Sequence, residues 1–204
     1  MIAIIDYGVG NLFSLCSSLK YIGWDAVITG DRAVIESCDK ILLPGVGAFA
    51  DAMSKLRDRG LGELVVQEAG RGKPTLGVCL GMQLMFEKGF EFGEHEGLGL
   101  LSGAVMPIKP RIPTDYKIPH IGWNALKFTC NEKPSLFKYI NDGDHVYFVH
   151  SFHAELCENA IIATTEYGAQ LTAAVTCGNI YGTQFHPEKS GDVGLRILRA
   201  FAEL

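Results

Sequence analysis

The sequence has no closely spaced pair of cysteines. Its six cysteines, Cys16, Cys38, Cys79, Cys130, Cys157 and Cys177, are scattered, and no C-x-x-C occurs. That spacing argues against a zinc site or a disulfide framework and fits a reducing cytoplasm. Charge is also sparse: 20% of the residues are charged and the formal net charge is −5. An acidic balance disfavours nucleic acid and anionic membrane as main partners. No apolar run reaches the roughly 20 residues of a membrane span. The opening Met1-Ile2-Ala3-Ile4-Ile5-Asp6 lacks a basic n-region and a cleavage site and reads as a strand. There is no Walker pattern, and neither Gly8-x-Gly10 nor Gly45-x-Gly47 continues as a dinucleotide fingerprint. No repeat, low-complexity tract or linker divides the 204 residues, so a single domain, 1–204, is expected.

What is present is a core-forming composition, 48% hydrophobic. Ile2 to Ile5, Asp25 to Thr29, Lys40 to Leu43 and the apolar stretch before Cys79 read as strands. Between them, Leu12 to Ile22, Ala48 to Arg59 and Gly62 to Ala69 carry helical spacing. Strands alternating with helices predict βαβ units and a parallel sheet. After Lys88 the pattern changes. A Gly/Glu-rich loop, Phe90 to His95, leads into short strands broken by Pro107, Pro110, Pro113 and Pro119. His145 to Phe152, Ala160 to Glu166, Ala173 to Cys177 and Ile180 to His186 read as further strands, antiparallel or mixed. Gly191 to Ala202 reads as a last amphipathic helix. The expected fold is α/β, an open and mostly parallel central sheet with helices on both faces and a small additional antiparallel sheet.

The most informative stretch is Gly77-Val78-Cys79-Leu80-Gly81-Met82-Gln83. Glycines two residues to either side of one side chain permit a sharp strand-to-helix turn that thrusts Cys79 outward with strained backbone angles. A helix expected over Met82 to Lys88 aims its N-terminus at the sulfur, which favours a thiolate. A cysteine nucleophile needs a base, and the base needs an orienter. Of six histidines, His186 stands out because Pro187 and Glu188 follow it. Pro187 holds His186 in the extended region, and Glu188, two residues on, falls on the same side of an extended chain. That suits a Cys79–His186–Glu188 triad. The N–H of Leu80 offers one oxyanion donor. Pro44-Gly45-Val46-Gly47, at the end of a parallel strand, offers another.

With these residues the chain resembles the class I, triad-type glutamine amidotransferases from Asp6 to Ser190. Five further stretches resemble, within that superfamily, the glutaminase subunits of imidazole glycerol phosphate synthases. They are Ile5-Asp6-Tyr7-Gly8-Val9-Gly10-Asn11, Pro44-Gly45-Val46-Gly47-Ala48-Phe49, Pro119-His120-Ile121-Gly122-Trp123-Asn124, Tyr147-Phe148-Val149-His150-Ser151-Phe152 and His186-Pro187-Glu188-Lys189-Ser190. Met82 fits them too, since related anthranilate synthase subunits usually carry His there. Phe152 departs from their common Tyr.

The resemblance implies hydrolysis of L-glutamine to glutamate and ammonia through a Cys79 thioester. It implies an oxyanion held by Leu80 and by Val46 or Gly47. Gly47, Gln83 and the backbone of Ser151 are implied as substrate contacts. It further implies a heterodimer with a (β/α)8-barrel cyclase, to which ammonia is channelled. That cyclase makes imidazole glycerol phosphate and AICAR from the ribonucleotide PRFAR in histidine biosynthesis. Asn11, Trp123 and Lys189 are interface candidates near the mouth of the triad. No cofactor and no metal is called for. The rival readings are the glutaminase subunit of anthranilate or aminodeoxychorismate synthase, a free-standing cysteine hydrolase, and a non-catalytic module on the same fold.

Overall fold

The computed structural model describes residues 1–130 and 132–204. The chain runs β1 (Ile2–Ile5), α1 (Leu12–Tyr21), β2 (Ala26–Thr29), α2 (Arg32–Ser37), β3 (Lys40–Leu43), α3 (Phe49–Asp58), α4 (Leu61–Gly70) and β4 (Thr75–Val78). Then come α5 (Leu80–Leu84), β5 (Phe86–Gly89), β6 (His95–Glu96), β7 (Leu101–Pro107), β8 (His120–Ala125) and β9 (Lys127–Phe128). The last part is β10 (His145–His150), β11 (Phe152–Glu155), β12 (Ile161–Glu166), β13 (Gln170–Cys177), β14 (Ile180–Thr183) and α6 (Gly191–Ala202). A 3-10 turn over Pro187–Lys189 precedes α6.

The central sheet has eight strands in the order β2-β1-β3-β4-β14-β13-β12-β9. The first five are mutually parallel and the rest add antiparallel. β1 and β4 are buried along their whole length. Continuous apolar strands of this kind need cover on both faces, and two apolar clusters provide it. In one cluster α3, α4 and α5 bring Phe49, Leu56, Leu64 and Met82. In the other α1 and α6 bring Leu15, Leu19, Leu198 and Phe201. A four-stranded mixed sheet, β11-β7-β5-β6, and a two-stranded ladder, β10-β8, lie beside the main sheet.

Four elements differ from the expectation, the first being β14: the run from Ile180 to His186, read with the antiparallel or mixed part, is a strand only to Thr183 and lies parallel to β4. The helix after Cys79 starts at Leu80 and stops at Leu84, and Phe86–Gly89 is a strand. Phe86 is fully buried and Gly89 stands so close to the Phe49 ring that a Cβ would come within 2.7 Å, so packing overrides the helical reading. The run from His145 to Phe152 is two strands, broken at Ser151, because β10 pairs with β8 while β11 pairs with β7. The helix α2 carries only one buried residue, Ile35, and left no amphipathic signature to read. Among the described residues no helix is long and apolar enough to cross a membrane.

Candidate active site

Parallel neighbours β4 and β14 end at the same edge, with Thr183 opposite Val78. The residues just beyond each strand therefore meet. Cys79 follows β4, and Gln184, Phe185 and His186 follow β14. The amide of Cys79 donates to Thr183 O at 2.7 Å. The Cys79 backbone stands at φ +55°, ψ −114°. No L-residue is comfortable there, at a cost of order 1–3 kcal/mol. The turn is possible because a helix backbone crosses strand ends at touching distance. A Cβ on Gly45 would lie 2.5 Å from Gly81 N, and one on Gly81 would lie 1.9 Å from Leu43 O. No side chain fits either place.

His186 is extended, at φ −95°, ψ 99°. The chain does not stay extended to Glu188, as the sequence suggested. It folds into the 3-10 turn with Pro187 in its first position, and this turn brings the carboxylate back beneath the ring. His186 Nδ1 lies 2.9 Å from Glu188 Oε1, and both side chains are almost wholly buried. The turn is pinned to β10: His186 N donates to Tyr147 O at 3.0 Å, Tyr147 N to Ser190 Oγ at 3.0 Å, and Ser190 Oγ to His186 O at 2.6 Å. Burial pulls the His186 pKa down. Hydrogen bonds to Cys79 and Glu188, and their charges, push it up by more, to about 9. At neutral pH the ring is therefore an imidazolium facing the sulfur.

A cavity of about 400 Å³ opens over these groups, within the usual range for small-molecule sites. Cys79, His186, Val46, Gly47, Leu80, Gln83, Ser151 and Lys189 all face it. Gly47 has φ +96° and nothing within 4 Å of its Cβ position, whereas Gly45 is wedged against α5. Conformational freedom in the loop thus sits on the Gly47 side of Val46. Tyr7 fixes the other end of that loop by donating its hydroxyl to Pro44 O at 2.6 Å. Burial, then the charge of Cys79, raises the Tyr7 pKa and keeps the phenol neutral.

Gln83 and Asn11 are engaged within the fold, whereas Trp123 and Lys189 are exposed. Gln83 is buried, and its Nε2 donates to Phe152 O at 3.0 Å and to Gln184 Oε1 at 2.9 Å. With both amide hydrogens engaged, Gln83 can meet a ligand only through its oxygen. Asn11 turns inward and donates to Glu188 Oε1 at 3.3 Å. Trp123 is 53% exposed and stands edge-on to Tyr147, its cross-strand partner. Lys189 lies 6.0 Å from the same Tyr147 ring. Trp123, Tyr147 and Lys189 so form one surface beside the cavity mouth. The helix expected to support the thiolate has five residues, so its dipole is small.

Glu91 and Gln184 carry no sequence signal. Glu91 belongs to the loop between β5 and β6, lines the cavity and accepts from Phe49 N at 2.7 Å. Nothing in the sequence separates it from Glu87, Glu94 or Glu96. Gln184 is fully buried beside the sulfur. Among the described residues no group of three or more His, Cys, Asp or Glu side chains is placed to hold a metal ion.

The glutamine amidotransferase class-I family model matches residues 3–203. The chain belongs to the class-I glutamine amidotransferase family. This amidotransferase is 47% identical over 205 residues to imidazole glycerol phosphate synthase subunit HisH of Caldanaerobacter subterraneus, covering 100% of this chain and 98% of that one. It is 50% identical over 206 residues to the subunit of that name from Sulfurimonas denitrificans, again covering 100% and 98%. Among solved structures, a glutamine amidotransferase superposes with TM-score 0.76 at 18% identity over the full length of both chains. PurLQS from Thermotoga maritima superposes with TM-score 0.75 at 19% identity, covering 99% and 97%. At those identities the two structures speak for the fold alone.

Proposed function

We infer that this chain is the glutaminase subunit of an imidazole glycerol phosphate synthase, acting in histidine biosynthesis as one amidotransferase unit over residues 1–204. The observation that carries the chemistry is a cysteine in a strained elbow sharing one cavity with an imidazole that a buried carboxylate orients.

The Cys79 thiolate attacks the carboxamide carbon of L-glutamine. The oxyanion accepts from the N–H of Leu80 and from that of Val46 or Gly47. His186 Nε2–H protonates the departing NH2 group, which leaves as ammonia, and a glutamyl thioester remains on Cys79. The now neutral His186 takes a proton from water, whose oxygen attacks the thioester carbon. The thiolate is expelled, and glutamate leaves with the proton again on His186. Glu188 stays ionised and holds the ring through Nδ1–H. Gly47, the Gln83 oxygen and the Ser151 backbone contact the substrate, and the Glu91 carboxylate suits its α-ammonium.

Ammonia is captured as a nucleophile only while unprotonated, so it needs a sheltered route to its acceptor. The partner is a (β/α)8-barrel cyclase in a heterodimer, which uses the ammonia to turn PRFAR into imidazole glycerol phosphate and AICAR. Trp123 and Lys189, exposed at the mouth, face that barrel, while Asn11 supports the interface edge from beneath. The chain works in the cytoplasm, in keeping with six free cysteines.

The deciding experiment is glutamine hydrolysis by the chain alone, with the cyclase, and with cyclase plus PRFAR. The expected result is low turnover alone and a large rise in the full mixture. Equal turnover in all three removes the coupled-synthase reading. Co-purification with a chorismate-using enzyme instead of the barrel transfers the chain to another synthase.

A further inference from the structure

One buried group touches the reacting atom and has no part in the mechanism above. Gln184 Nε2 lies 3.8 Å from Cys79 Sγ, and Gln184 Oε1 accepts from Gln83 Nε2 at 2.9 Å. A backbone oxygen decides which end of this amide meets the sulfur. Phe152 O accepts from Gln83 Nε2 at 3.0 Å, and also from His150 Nδ1 at 2.8 Å. A carbonyl can only accept, so Gln83 presents its NH2 group there. The second hydrogen of that NH2 group meets Gln184, which must then turn its oxygen to Gln83 and its NH2 group to the sulfur. The orientation runs without choice from Phe152 O through Gln83 and Gln184 to Cys79.

On the opposite account stands Val149 O, 3.9 Å from Cys79 Sγ. That carbonyl suits a thiol, which can donate to it, and disfavours a thiolate, which cannot. We propose that Gln184 is a further catalytic residue, the amide donor that stabilises the Cys79 thiolate, with Gln83 as its positioning residue. The proposal rests on the glutaminase reading and deepens it. His186 stabilises the sulfur only while it holds its proton, and it gives that proton up to the departing ammonia. Gln184 is neutral and donates unchanged at every stage. Its N–H therefore also supports the sulfur when water attack expels it from the thioester. No proton is gained or lost by the amide. A hydrogen bond to a charged acceptor is worth enough to shift such an equilibrium by about tenfold or more.

The test is the pH profile of Cys79 alkylation by iodoacetamide, followed by mass spectrometry in the full chain. Gln184→Glu keeps the shape and removes the donor. Gln184→Met keeps the bulk and removes both polar ends. In each the profile is expected to move to higher pH by about one unit, which is tenfold slower alkylation at fixed pH. Alkylation of exposed Cys177 should not change. In the cyclase complex, kcat should fall about tenfold with little change in KM, because Gln184 touches the sulfur and not the substrate. A measurement on the unaltered side chain guards against misfolding of both variants. The Gln184 side-chain amide proton should titrate with Cys79 in NMR spectra, and should be flat in Cys79→Ala. Profiles that overlay the wild type, or an amide signal indifferent to pH, overturn the proposal. A Cys79→Ala chain that still hydrolyses glutamine overturns the glutaminase reading instead.

Discussion

His186 Nδ1 and Glu188 Oε1 stand 2.9 Å apart, joined by a single turn built on Pro187. Asn11, reaching from the far end of the sequence, shares the same carboxylate oxygen. Glu188 is thus held from two sides, and it is one of the groups that keep His186 protonated at neutral pH.

Glu188→Gln should lower kcat by two orders of magnitude or more, because the ring loses its charge partner and its fixed tautomer. The His186 pKa should fall from about 9. NMR titration of the His186 ring checks the shift. An unchanged midpoint contradicts the role given to Glu188.

The backbone strain at Cys79 gives a stability prediction. Cys79→Ala and Cys79→Gly should both abolish glutaminase activity, but they should differ in stability. A glycine is at ease at φ +55°, ψ −114°, whereas alanine carries the full strain. After allowing for the larger unfolded-state entropy of glycine, Cys79→Gly should exceed Cys79→Ala by about 1 kcal/mol. Urea melts of the pair measure it, and a glycine variant less stable than the alanine one contradicts the strain.

Gly45→Ala should cost about 2 kcal/mol or more and remove activity, since its Cβ would meet Gly81 N at 2.5 Å, a backbone atom that cannot move aside. The elbow and the loop before Val46 would be pried apart together. Thermal melts and glutamine turnover report both losses. Wild-type melting would show that the two backbones are not in register at this point.

Stability should fall on both sides of neutrality, for opposite reasons. The folded His150 is pushed down to about 3, chiefly by burial. Its contribution is present above the unfolded value of roughly 6.5 and is lost as pH falls from there toward 3. The folded His186 is raised to about 9. Its contribution is complete below roughly 6.5 and is lost as pH rises toward 9. Urea unfolding across this range tests the signs. Cys79→Ala should flatten the alkaline limb alone, because Cys79 is among the causes of the His186 shift.

Trp123→Ala and Lys189→Ala should each weaken binding of the cyclase about tenfold, leaving the fold intact, because both side chains stand on the surface by the mouth. Calorimetric titration with the cyclase subunit measures it. Unchanged affinity in both moves the interface elsewhere.

Four of the five parallel strands and the elbow are legible in the chain alone, whereas β14, read with the antiparallel or mixed part, lies parallel to β4. The legible signals are local: continuous apolar runs for β1, β3 and β4, and two glycines around one cysteine. The sequence also singled out His186, because a proline beside a histidine restricts the backbone of both. Other groups at the site come together only in the tertiary structure. Glu91 reaches the cavity from the loop between β5 and β6, and in sequence it looks like its neighbours Glu87, Glu94 and Glu96. Gln184 meets the sulfur because β14 lies parallel to β4 in one register, Thr183 opposite Val78. Asn11 meets Glu188 across 177 positions of chain. Backbone geometry around one residue is dictated by its neighbours in sequence. Which side chains then share a hydrogen bond depends on strand order and register, and those are fixed only when the whole core packs.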